Sequence, residues 1–230
     1  MIDNVSVETR EIVAWPGPML VSPQMAPTLQ EWVEEHRDDL DTLLAERGAL
    51  LCRGFGIDSA DAFRAVASCL TERLLDYVYR STPRTSMGDR VYTATEYPAN
   101  SSIPMHNENA YQRDWPMRLV FCCTQPAATG GETPLSSTRN VTKRIDPAVM
   151  RMFAQRGVTY VRNYGNGADL SWQTTFQTSS RADVESYCRD HAIEFEWLPG
   201  DRLLRPAGQC QARSRTTLAR ESATWPTALM

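Results

Sequence analysis

No apolar run in this chain approaches the ~18 residues that a membrane-crossing helix needs, so no membrane partner is expected. There is no excess of positive charge either. Twenty-four Lys and Arg stand against 28 Asp and Glu, a net charge of -4, which argues against nucleic acid or an acidic lipid surface as partner. The six cysteines include no C-x-x-C pair, so a zinc site is not expected. The opening Met1-Ile2-Asp3-Asn4-Val5 lacks the basic-then-apolar form of a secretion signal. Cys52, Cys122 and Cys123 lie in apolar runs and read as core thiols, which fits a reducing cytoplasm. Histidine is scarce: His36, His106 and His191 are all there are. What remains is an ordinary globular composition over 230 residues, 42% hydrophobic and 23% charged, enough for one substantial core.

Residues 1 to 27 are rich in turn formers and read as an irregular arm with a short strand or two. Thr28-Leu29-Gln30-Glu31 has the form of a capping box. Behind it Leu29, Trp32, Val33, Leu40, Leu43 and Leu44 recur at helical spacing up to Gly48, predicting one helix. Ala49 to Arg53 predicts a short buried strand, and a second helix follows Asp58 with Phe63, Val66, Ala67, Leu70 and Leu74 on one face. Val91 to Thr95 predicts a strand, and Arg118 to Cys123 a strand buried on both faces. Asp146-Pro147 opens a helix with Val149, Met152 and Phe153 inward, closed by Gly157. Val158 to Val161 predicts a strand, residues 168 to 180 a cleft-covering segment, and Ala182 to Asp190 a helix. Ile193-Glu194-Phe195-Glu196-Trp197 alternates as a half-buried strand does. After Asp201 arginines accumulate without apolar periodicity. Residues 202–230 therefore read as a basic, disordered tail on a domain of residues 1–201.

The centre of the chain is Met105-His106-Asn107-Glu108-Asn109, followed by Trp115 and by Gly130-Gly131-Glu132-Thr133-Pro134. On an extended strand residues 106 and 108 point the same way, and Asn107 points away. An imidazole and a carboxylate on one side can grip one ion. Two histidines and one carboxylate with open positions beside them suit a non-heme Fe(II) oxygenase. A hydrogen-bonded structural pair at a strand end is the alternative reading of these two residues.

Tyr92-Thr93-Ala94-Thr95-Glu96-Tyr97-Pro98, then His106 to Tyr111, Trp115-Pro116, Pro126-Ala127 and Gly130-Gly131-Glu132-Thr133-Pro134, in that order, resemble the taurine dioxygenase (TauD/TfdA-like) superfamily. The nearest likeness is to its syringomycin-type aspartyl hydroxylase branch, and it runs from about Gly48 to about Asp201. The resemblance implies an α+β, mostly β fold: a double-stranded β-helix, or jelly roll, with flanking helices. It implies Fe(II) held by His106 and Glu108, and 2-oxoglutarate assisted by the hydroxyl of Thr133. The substrate it implies is an amino acid, free or tethered to a carrier protein.

The family also supplies a distal histidine and, beyond it, an arginine for 2-oxoglutarate. His36 lies in the first helix, and His191 precedes the Ile193 strand instead of following it, so neither matches. From about Leu204 the family's character stops, and the expectation is a jelly roll incomplete at its C-terminal strands, from a shortened or frame-shifted end. Two functions follow: a 2-oxoglutarate-dependent dioxygenase, impaired where the distal His and Arg are missing, or a catalytically silent binding protein that keeps the pocket.

Overall fold

The computed structural model describes residues 7–11, 18–24, 28–94, 96, 98, 100–112, 115–164, 170–200, 202–206 and 227–229, with backbone alone for 7–11, 202–206 and 227–229. Its first half is a sheet covered by three helices. β1 (Val7–Glu11) pairs antiparallel with β2 (Met19–Pro23), giving the strands expected of the N-terminal arm. β2 runs parallel to β3 (Ala49–Cys52). The capping box at Thr28 is present: the Glu31 N–H donates to Thr28 Oγ1 at 3.2 Å, and the Thr28 N–H donates to Glu31 Oε2 at 2.8 Å. The Thr28 N–H, and the Thr28 hydroxyl donating to the same oxygen at 2.9 Å, hold the Glu31 carboxyl below its usual range. Thr28→Ala removes the cap and is expected to cost about 1 kcal/mol, read from a urea unfolding midpoint.

The single helix expected up to Gly48 is two, α1 (Leu29–Glu35) and α2 (Arg37–Arg47), broken at His36. The Trp32 carbonyl accepts the His36 backbone N–H at 3.1 Å and also the ring Nδ1–H at 2.9 Å. The imidazole is buried and stacked on the Trp32 indole, so His36 is a packing residue. Gly48 ends α2 at φ +80°, a left-handed geometry that glycine adopts without a Cβ penalty. α3 (Ala60–Leu70) starts at Ser59 and buries Val66, Ala67 and Leu70; Leu74 lies beyond its end. These helices close a core over the sheet from Met19, Val21, Leu29, Trp32, Val33, Leu40, Leu44 and Leu50.

The strand expected over Arg118 to Cys123 is shorter and half-buried, β6 (Arg118–Val120), with Phe121 and Cys123 exposed. Its position at the end of the sheet order explains this, because an end strand is covered less than a central one. β10 (Thr227–Leu229) lies between β3 and β6, parallel to both. The strand expected over Val91 to Thr95 is β5 (Val91–Tyr92), hairpin partner of β4 (Ser86–Gly88).

The second half has its own aromatic core. α6 (Trp172–Phe176) buries Trp172, Thr175 and Phe176. The described part of residues 168 to 180 is therefore a packed helix and its flanks, not a cover; residues 168 and 169 lie outside the described residues. α7 (Arg181–Asp190) adds Val184 and Cys188, and Ile193, Tyr79 and Tyr164 complete the cluster. The strand placed at Val158 to Val161 is shifted to β7 (Val161–Tyr164). The alternation at 193 to 197 is present in burial, and its paired part is β8 (Glu196–Leu198). β9 (Arg202–Pro206) pairs antiparallel with both β7 and β8, so the unit boundary expected at residue 201 falls within a hairpin. Residues 207 to 226, most of the basic tail, lie outside the described residues.

α4 (Thr138–Arg144) and α5 (Pro147–Arg156) stand apart from both cores. The Asp146 cap, Pro147 and the Gly157 stop form as expected. Val149, Met152 and Phe153 do not face inward; they are 40%, 41% and 47% exposed. Their spacing sets which residues share a helix face, and no described element covers that face. The α+β composition matches expectation, but the described strands form separate sheets of five, two and three rather than a closed jelly roll. No described helix is long and apolar enough to cross a membrane.

Candidate functional site

Residues 101 to 112 form no strand. The alternation of faces expected of His106 and Glu108 is replaced by an irregular segment ending in a turn at Glu108-Asn109-Ala110, where Asn109 takes φ +54°. Asparagine tolerates that left-handed geometry better than most residues. The turn still brings the two side chains together: His106 Nε2 lies 3.6 Å from Glu108 Oε2.

The local bonds decide what these atoms offer. His106 Nδ1 lies 2.8 Å from the Pro104 carbonyl, which can only accept, so Nδ1 carries the proton. In the neutral ring Nε2 then presents a lone pair toward a carboxylate oxygen. A protonated ring would make this contact a direct ion pair, whereas a neutral ring leaves both atoms open to one cation. Ions that bind N and O donors at about 2.0–2.2 Å bridge atoms up to about 4.2 Å apart, so the gap fits one metal ion. The backbone bond to Nδ1 is of the kind that orients metal-binding imidazoles.

Glu108 Oε1 accepts a hydrogen bond from Arg84 Nη2 at 2.9 Å, and the two side chains are 15% and 17% exposed, against 57% for His106. The Arg84 guanidinium lies over the Tyr77 ring, 4.5 Å from its centroid. Arg80 donates to the Arg84 carbonyl at 2.8 Å and to Gln177 Oε1 at 2.7 Å, tying this segment to the end of α6. Tyr111 packs on Tyr79 and donates to the Tyr79 carbonyl at 3.2 Å, and burial pushes its phenol up to about 12. It anchors the loop to the aromatic core. Asn107 turns toward α4, where Thr138 Oγ1 donates to its Oδ1 at 3.5 Å.

Thr133 is exposed and makes no hydrogen bond among the described residues. Its Gly-Gly turn is tight: Gly130 and Gly131 have φ of +69° and +83°, and a Cβ on Gly131 would come within 2.8 Å of the Ala127 Cβ. His191 ends α7, its Nδ1 2.8 Å from the Tyr187 carbonyl and its ring stacked on Tyr187 at 4.0 Å. Among the described residues no group of three His, Cys, Asp or Glu could hold a metal. Two such side chains do meet, His106 and Glu108. Arg84 was invisible to sequence reasoning, because an arginine 24 positions before Glu108 in a polar, turn-rich segment carries no spacing signal.

With that geometry in view, three likenesses bear on the chain. The family model described as taurine catabolism dioxygenase TauD, TfdA family matches residues 26–205. The dapdiamide synthesis protein DdaC of Enterobacter agglomerans is 41% identical over 194 residues, 84% of this chain and 58% of the relative. A clavaminate synthase-like protein of Arabidopsis thaliana, At3g21360, is 34% identical over 200 residues, 79% of this chain and 61% of the relative. The chain thus spans about three-fifths of the length of these curated relatives.

Proposed function

Because the chain belongs to the TauD, TfdA dioxygenase family, we propose that it acts as an Fe(II)- and 2-oxoglutarate-dependent oxidoreductase that hydroxylates an amino-acid-type substrate. The observation that carries the reading is the pair of facing acceptors, His106 Nε2 and Glu108 Oε2, 3.6 Å apart. When bound, Fe(II) with 2-oxoglutarate and O2 supplies an oxidant for an unactivated C–H bond, with succinate and CO2 released. The chain's own work is to hold and orient. His106 offers Nε2 because Pro104 occupies its Nδ1–H. Glu108 offers Oε2 because Arg84 occupies Oε1. We assign Thr133 to the 2-oxoglutarate carboxylate on the family resemblance, through the hydroxyl it can donate.

An amino-acid substrate, free or carrier-tethered, follows by analogy with the syringomycin-type branch and with DdaC, whose name ties it to dapdiamide synthesis. The same analogy supports antibiotic biosynthesis as its setting and the cytoplasm as its place. The competing reading is a silent binding protein, favoured by the lack of a third metal-binding side chain among the described residues. Anaerobic addition of Fe(II) and 2-oxoglutarate separates the two. A weak visible charge-transfer band is expected from the enzyme; its absence at high iron selects the silent protein.

A further inference from the structure

Arg84 is placed with more care than a surface ion pair needs. Its neighbours are clamped. The Thr85 N–H donates to Thr93 Oγ1 at 2.9 Å and to Glu96 Oε1 at 3.2 Å, and Thr85 Oγ1 donates to the same carboxylate oxygen at 2.7 Å. Thr93 Oγ1 donates to Glu96 Oε1 at 2.8 Å, and the Glu96 N–H reaches back to the Pro83 carbonyl at 3.4 Å. The Thr93 N–H closes the loop on the Thr85 carbonyl at 2.9 Å. On the other side Arg80 holds the Arg84 carbonyl. The guanidinium then rests on Tyr77, whose side is shielded from solvent, and reaches one oxygen of Glu108 only.

We propose that Arg84 is a positioning residue for the metal ligand Glu108. By occupying Oε1 it turns Oε2 alone toward His106 Nε2 and fixes the carboxylate as a one-oxygen donor. The inference rests on the metal-binding reading of His106 and Glu108. Its physical basis is general: a ligating carboxylate is itself held by hydrogen bonds, and loss of such a partner typically costs 10–100-fold in metal affinity. Arginine suits the task because its planar charged fork both stacks on an aromatic face and bonds a carboxylate. The clamp through Glu96 and the two threonines sets where that fork sits.

The test is Mn(II) binding to the full chain, followed by the loss of free-ion electron paramagnetic resonance signal, with circular dichroism and thermal melting of each metal-free variant alongside. Arg84→Met is expected to bind Mn(II) about 10-fold or more weakly than the wild type while staying folded. A purely structural role would instead lower the melting temperature of the metal-free Arg84→Met chain and leave the Mn(II) affinity of its folded fraction unchanged. If Arg84→Met does not fold, Arg84→Gln carries the test, since it keeps an N–H donor beside Tyr77; the same direction is expected. Unchanged Mn(II) affinity in a folded Arg84 variant overturns the positioning role and leaves the proposed function standing. A wild-type chain that takes up no Mn(II) overturns both.

Discussion

Glu108→Ala is expected to abolish metal-dependent 2-oxoglutarate turnover and to bring metal uptake below measurement. His106 Nε2 and Glu108 Oε2 lie 3.6 Å apart, and among the described residues no group of three His, Cys, Asp or Glu could take their place. Removing one leaves a single exposed imidazole, and the chelate is lost with the ligand. The fold should survive. Glu108 sits in a turn outside both cores, and its loss deprives Arg84 of one charged hydrogen bond while the guanidinium keeps its place over Tyr77. Leaving a partly buried donor without its partner costs about 1–3 kcal/mol. Succinate formation and a Mn(II) titration read the first effect, and thermal melting reads the second. Turnover retained in the folded variant would put the metal site elsewhere in the chain.

Trp32→Ala is expected to produce the largest loss of stability, about 3–5 kcal/mol, because it removes a large buried ring and leaves a cavity that its neighbours refill only in part. Trp32 is fully buried where α1 meets the sheet, its ring centroid 5.3 Å from that of His36 and 6.4 Å from that of Phe55. His36 loses its stacking partner and Phe55 a ring tilted against it. Set against the 5–15 kcal/mol that typically holds a domain together, such a loss leaves a marginal fold. A urea unfolding curve measures it as a lower midpoint with little change in slope. Phe153→Ser, on the exposed face of α5, is the comparison and should shift the midpoint little, within about 0.5 kcal/mol.

The two variants differ in what the sequence foretold about them. Trp32 belongs to a run of apolar residues at helical spacing behind a capping box, and it is buried as that pattern requires. Phe153 belongs to an equally regular pattern, between an Asp146 cap and a Gly157 stop, yet it is exposed. Periodicity and caps are properties of neighbours three or four residues apart, so both helices could be read directly. Whether anything packs on a helix face depends on elements far along the chain, and local spacing holds no record of them. The same limit explains the strand at Arg118 to Val120, whose apolar run suggested cover on both faces although it ends its sheet.

The candidate site divides along the same line. From its sequence alone the chain declared its family, through an ordered string of short motifs, and it named His106 and Glu108 as a pair two residues apart. Tertiary structure decided how the pair is made: a turn at Glu108-Asn109-Ala110 rather than a strand, with the carboxylate held by Arg84 from 24 positions away. It also decided that Arg80 anchors the segment through Gln177, 97 positions away. Motifs are legible because covalent neighbours stay neighbours in any fold. A guanidinium meets a distant carboxylate only after packing has brought their backbones within reach.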